Sequence, residues 1–355
     1  MTLKKALSVA ALSASLVSGL GLSGLTDQEV KAEGDKKVVV YSNSLSDERQ
    51  EWIDERASKE GFELEFVAGG GGEILNRLLA EKNEPQADVT FGMDEASFAQ
   101  LKSEDMLTEF EPTWVEHIPD EVNIGEGFYY PLVEQRIFMI YNPEFVDEAD
   151  VPKNWQDLAA NPNLEGKFMV PNELGGGTNQ KAAMSTLLQY QDENGEYGIS
   201  DEGWTQLEDY LNKGYMTPEG EDAWQNFADG KTVVTYTSTS SLPMNEEQYG
   251  FKAEIVNPDQ GVITMREQIG VINKGEDHDY SAAEAFVEWF GSDEVQAEWA
   301  PEFGSHPLNT EAYKATTDRV KEIVAATKPM DVDWNFVSEH ISDWVEKIEL
   351  ELMPL

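Results

Sequence analysis

Over residues 62–94 the spacing of apolar positions changes period twice, and this stretch gives the key to the rest of the chain. Phe62, Leu64, Phe66 and Val67 read as a short strand, and Gly69 to Gly72 follow it. Ile74, Leu75, Leu78 and Leu79 then share one face of a helix, and Ala87 to Phe91 read as a second strand ending at Gly92-Met93-Asp94. Such a strand–helix–strand unit belongs to an open α/β sheet, where ligands lie beyond the carboxyl ends of strands. Gly70 and Gly71 would then bring backbone N–H groups close to a ligand ahead of a helix N-terminus. Asp94 and Glu95 would bring negative charge at the next strand end. A glycine run is equally well a flexible turn, so the argument rests on whether the arrangement recurs.

It recurs on both sides. Lys37 to Tyr41 is an apolar strand ending in Ser42-Asn43-Ser44, with a helix expected from about Ser46. Lys167 to Val170 reads as a strand, followed by a loop carrying Gly176, Gly177 and Thr178 and a helix to about Gln191. Helices are expected over 201–212 and 219–229. The strand Thr232 to Tyr236 then runs into Thr237-Ser238-Thr239-Ser240-Ser241. Two long extended runs, 129–141 and 262–272, carry Glu134-Gln135-Arg136 and Arg266-Glu267-Gln268 at their centres, as a paired crossover between two lobes would. Arg136 and Arg266 are either rungs of a cross-strand salt-bridge ladder or contacts to an anionic ligand. Helices follow over 281–291 and 293–299. A last one, 332–350, places Trp334, Val337, Ile341, Trp344 and Ile348 at steps of three and four, which marks them as core.

Composition narrows the reading. A chain of 355 residues suggests two domains with a sizeable core in each. Its 25 Lys plus Arg against 69 Asp plus Glu give a net charge of −44, spread along the whole length. Such a surface repels nucleic acid and anionic membranes and suits a strongly solvated protein. There is no cysteine, which excludes disulfides, thiolate metal sites and a lipid-modified amino-terminal cysteine. Lys4 and Lys5, an apolar run from Ala6 to Leu25 and Val30-Lys31-Ala32 have the order of a secretory signal, with cleavage expected after Ala32. The mature chain is therefore expected outside the cytoplasmic membrane.

The four histidines show no metal-ligand spacing, and no HExxH, GxSxG or Walker pattern occurs. A secreted hydrolase is the alternative from another class, but it has no use for matching donor-rich loops in two lobes. A receptor that binds a ligand between lobes and closes on it does. Ser42, Asn43, Ser44, Thr178, Thr237, Ser238 and Thr239 would supply donors for an anionic group, and Asp94 or Glu95 would meet a cationic one. Tyr236, at a strand end, could stack. The ligand is then a small polar or zwitterionic solute, or a metal ion held with an anion at Asp94. No cofactor is expected.

The segments KVVVYS, ILNRLLAEKNEPQADVTFG, IFMIYNPEFV, NWQDLAANPNLEGKFMVPN and FVEWFGSDEVQ resemble the extracellular solute-binding proteins of ABC importers. The specific resemblance is to the type II cluster that includes ferric-ion-binding and thiamine-binding receptors, and it covers roughly residues 37–313. It implies a type II periplasmic-binding-protein fold: two α/β lobes joined by two crossover strands with a ligand cleft between them. With a signal peptide over 1–32, lobe 1 would comprise 33–133 and 266–303, and lobe 2 would comprise 134–265 and 304–355. It further implies a monomer that delivers its ligand to a membrane permease served by a cytoplasmic ATPase. Ferric-binding members use a histidine, an acid and adjacent tyrosines at positions that fall here on Leu45, Asp94, and Thr239 with Ser240. Only the acid is present. Thiamine-binding members look similar at TYTSTS and GMD, and receptors for organophosphonates and sugar phosphates fit the hydroxyl-rich loops.

Overall fold

The protein is described by a computed structural model over residues 36–353, Gly176 excepted. The expected signal segment and Gly176 lie outside the described residues. The strands are β1 (Lys36–Ser42), β2 (Phe62–Ala68), β3 (Val89–Phe91), β4 (Tyr130–Tyr141), β5 (Met169–Val170) and β6 (Gln191–Glu196). They continue with β7 (Tyr215–Met216), β8 (Val234–Ser238), β9 (Glu254–Val256), β10 (Ile263–Val271) and β11 (His306–Pro307).

The β-branched run in β1 forms the middle of a parallel trio, with β2 on one edge and β3 on the other. Parallel neighbours require helical crossovers, and the helices Asp47–Ala57 and Gly71–Ala80 supply them. Both faces of β1 are covered, as parallel sheets demand: Val38 and Val40 join one apolar cluster with Trp52, Ile53 and Phe286, while Tyr41 on the other face joins Ile74, Leu78 and Phe98.

The long strands β4 and β10 pair antiparallel from Ile263↔Ile137 to Ile269↔Tyr130, with a register shift between Glu267 and Gln268. They carry the sheet out of this first region. Tyr130, Leu132, Val133, Ile269 and Val271 pack in the first cluster, whereas Met139 and Ile263 pack in a second one with Trp155, Phe168, Leu207, Tyr210 and Trp344. The polar centres of both strands thus fall between two apolar cores. In the second region β8 and β9 flank the far end of β4, both antiparallel. β5 and β7 form a separate parallel pair.

Several elements differ from the sequence expectation. The strand expected to end at Tyr236 runs on to Ser238, because Thr237 and Ser238 are paired with Phe138 and Ile137 of β4. The helix expected to reach Gln191 ends at Leu187, and the helix expected over 219–229 is confined to Ala223–Ala228 by its cap, Asp222. Polar loop composition did not report where tertiary pairing would extend or cut an element.

Candidate functional site

The carboxyl end of β1 sets one wall of a cavity. Ser42 is fully buried and its Oγ accepts the Ser44 N–H at 3.0 Å, which turns the chain and leaves Asn43 outward. Gly92, at φ +99°, lets β3 end against this turn: a Cβ there would lie 2.7 Å from Ser44 Cβ and 2.8 Å from Asn43 Oδ1. Ser44 Oγ donates to Glu267 Oε2 at 2.7 Å and accepts from Arg49 Nη1 at 3.0 Å. Arg49 stands in the first turn of the helix Asp47–Ala57 and also packs 5.5 Å from the rings of Trp299 and Phe303.

The opposite wall comes from the second region. The helix Gly177–Leu187 presents Thr178, β8 ends on Ser238, and the start of the following helix presents Ser240 and Ser241. Ser238 Oγ donates to Ser241 Oγ at 2.8 Å, and the Ser240 N–H donates to Gln135 Oε1 at 3.3 Å. Gln135 Nε2 donates in turn to Glu267 Oε1 at 3.3 Å. Together these groups enclose about 410 Å³, floored by Gln135, Ile137, Met265 and Glu267 of the long strands. A second cavity of about 450 Å³ adjoins it, sharing Thr178, Ser238 and Ser241 and adding Tyr236, Thr237 and Trp224. Burial raises the Tyr236 phenol well above its ordinary value, and its OH donates to Asn179 Oδ1 at 2.8 Å, so it is held as a neutral phenol.

Other expected residues go elsewhere. Arg136 is saturated by the protein: it pairs with Glu134 at 2.9 Å and donates to the carbonyls of Val324 and Thr327 at 2.8 Å each. Arg266 pairs with Glu95 at 2.9 Å and approaches Glu134 at 3.4 Å. Of the two readings of the crossover arginines, the structure therefore has the salt-bridge network, in which Glu95 takes part. Thr239 faces β4, where its Oγ1 accepts the Arg136 N–H at 2.9 Å. Gly70 and Gly71 begin a helix beside Asn43 and line neither cavity, and Gly177 likewise serves as a helix start. Asp94 caps the helix Glu95–Ser103, its Oδ1 accepting from Ser97 N at 3.0 Å and Ser97 Oγ at 2.8 Å. It borders only a small gap beside Trp334. Its field reaches Lys181, whose ammonium is pushed down by burial and supported by Asp94.

Arg49, Gln135, Ser240, Ser241 and Glu267 line the cavity without having been selected from the sequence. Arg49 carried a signal: a cation in a helix's first turn opposes the macrodipole, so its placement asks for a reason beyond local stability. Among the described residues no group of three or more His, Asp or Glu converges as a metal cage would.

A family model described as "Bacterial extracellular solute-binding protein" matches residues 51–328. The chain is 30% identical over 315 residues to the "Probable ABC transporter periplasmic-binding protein y4fP" of Sinorhizobium fredii, covering 89% of this chain and 86% of that one. It is 34% identical over 176 residues, 48% of each chain, to the "Putative 2-aminoethylphosphonate-binding periplasmic protein" of Salmonella typhimurium. The "Ferric binding protein from Campylobacter jejuni" superposes with a TM-score of 0.68 at 18% identity over 88% of this chain and 98% of that one, a likeness of fold alone. The chain belongs to the bacterial extracellular solute-binding proteins and has the type II periplasmic-binding fold of an ABC importer's solute receptor.

Proposed function

We propose that the protein is the extracytoplasmic receptor for a small solute with an anionic head of the organic phosphate or phosphonate type, which it passes to an ABC permease in the membrane. The observation that carries this reading is Arg49. Five of the six arginines have a carboxylate within 4.0 Å, in a chain where acids outnumber bases by far. Among the described residues the Arg49 guanidinium has only the Ser44 hydroxyl and carbonyl as hydrogen-bond partners, and it lines the 410 Å³ cavity among hydroxyl and amide donors. A guanidinium with no carboxylate in direct ion-pair contact, beside such donors, suits an oxyanion, to which charge-assisted bonds are the strong ones. The donor set is a poor match for a bare ferric ion, which asks for several anionic oxygens, and Tyr236 is held as a phenol. β4 and β10 would serve as the hinge on which the two α/β halves close over the solute.

The test is a thermal-shift and calorimetric screen with organic phosphonates, hexose phosphates, thiamine phosphates and ferric citrate. A solute at about 100 times its Kd adds ~2.7 kcal/mol to the folded state. Stabilisation by a phosphate- or phosphonate-bearing compound, abolished in Arg49→Met, is expected. Stabilisation by ferric citrate alone overturns the reading.

A further inference from the structure

Glu267 is the mirror image of Arg49. It stands at the bulge of β10, half-exposed to the same cavity, and accepts from one hydroxyl, Ser44 Oγ at 2.7 Å, and one amide, Gln135 Nε2 at 3.3 Å. Among the described residues no lysine, arginine or histidine pairs with it, although Glu134 on the neighbouring strand takes two arginines. Among the described residues the cavity therefore holds one positive and one negative side chain, neither in an ion pair and the two held one hydroxyl apart by Ser44. A solute carrying only an anion would sit beside Glu267 and be repelled by it.

Resting on the anionic-head reading above, we infer that the solute is a zwitterion: its anionic head meets Arg49, and an ammonium group a short alkyl spacer away meets Glu267. Ser44 sets the distance between the two charges, because its one hydroxyl donates to Glu267 and accepts from Arg49. The serines of the opposite wall, Ser238, Ser240 and Ser241, add neutral polar groups on the side that would close over the solute. Glu267 is thus a specificity-determining residue that separates amino-bearing solutes from their amine-free counterparts.

The experiment is calorimetric titration of the full chain, at fixed salt, with three pairs that differ only in the amine: 2-aminoethylphosphonate and ethylphosphonate, O-phosphoethanolamine and ethyl phosphate, β-alanine and propionate. In the best-bound pair the amine-bearing member should bind about ten- to a hundredfold tighter. Glu267→Gln, which keeps the shape and the hydrogen bond from Ser44, should erase that advantage and leave the amine-free member unweakened. Arg49→Met should weaken both members. Equal affinity within every pair, with Arg49→Met still weakening both, overturns the zwitterion while the anionic-head reading stands. Equal weakening of both members in Glu267→Gln makes Glu267 a scaffold residue and also overturns it. If no pair binds, the zwitterion is overturned, and the screen with hexose and thiamine phosphates decides separately whether the anionic-head reading stands. A melting temperature of Glu267→Gln close to that of the parent shows that the variant is folded in each case.

Discussion

Glu134 and Glu267 stand on adjacent antiparallel strands, one step of register apart, and their surroundings are opposite in kind. Glu134 is paired across the ribbon with Arg266, and receives Arg136 at 2.9 Å and Arg266 at 3.4 Å. Its neighbourhood is shut: His306 lies 3.5 Å away, and Arg136 is tied onward to Val324 and Thr327. Glu267 opens on the cavity and, among the described residues, receives no cation. The cause is the period of a strand, whose successive side chains alternate between faces. Glu134, Arg136 and Arg266 share one face of the ribbon and knit the structure; Gln135, Ile137, Met265 and Glu267 share the other and line the cavity. One ribbon thus serves stability on one face and recognition on the other.

The largest expected effect breaks the closed face. Glu134→Gln leaves the buried Arg136 without its carboxylate and should lower stability by roughly 3–5 kcal/mol in urea unfolding. A loss below about 1 kcal/mol would show that the network does not hold the ribbon together.

Next in size is a pH effect at the same place. Burial pushes the His306 imidazole from an ordinary 6.5 down to about 4. The unfolded chain then binds the proton first as pH falls, so stability rises with pH between about 4 and 6.5 and is lost on acidification through that window. The contribution is roughly 3 kcal/mol, taking about 1.4 kcal/mol per unit. Unfolding curves of His306→Asn should be flatter over that range than those of the parent.

The open face should respond in binding instead. Arg49→Met is expected to weaken a phosphonate solute by ~1.5–3 kcal/mol while changing stability by less than about 1 kcal/mol, the scale of its contacts with Trp299 and Phe303. Calorimetry and thermal unfolding on one preparation separate the two quantities. A stability loss as large as that of Glu134→Gln would erase the distinction between the faces.

The smallest effect concerns Asp94. As the cap of the helix Glu95–Ser103, its replacement by Ala should lower stability by ~1 kcal/mol and leave affinity nearly unchanged. A tenfold loss of affinity would return Asp94 to the binding machinery.

The sequence by itself determined much of this protein. The β-branched run of β1, the apolar face of the helix Gly71–Ala80, the two long central strands and the 3–4 spacing of the last helix were legible, because each depends on local periodicity. The charge of −44 and the lack of cysteine were equally plain. Alternation along Glu134-Gln135-Arg136 also separates the two faces of the ribbon without any structure. What only tertiary structure decided is which face meets the cavity, since that depends on where Val324, Thr327 and His306 pack. It also decided that Thr237 and Ser238 complete a strand, that Thr239 turns to β4, and that Asp94 spends an oxygen on Ser97. Polar residues in loops all look like ligand donors in one dimension. Whether a donor is free depends on partners scores or hundreds of residues away, such as Thr239 for the Arg136 backbone and Glu267 for Ser44, and local pattern carries no record of them.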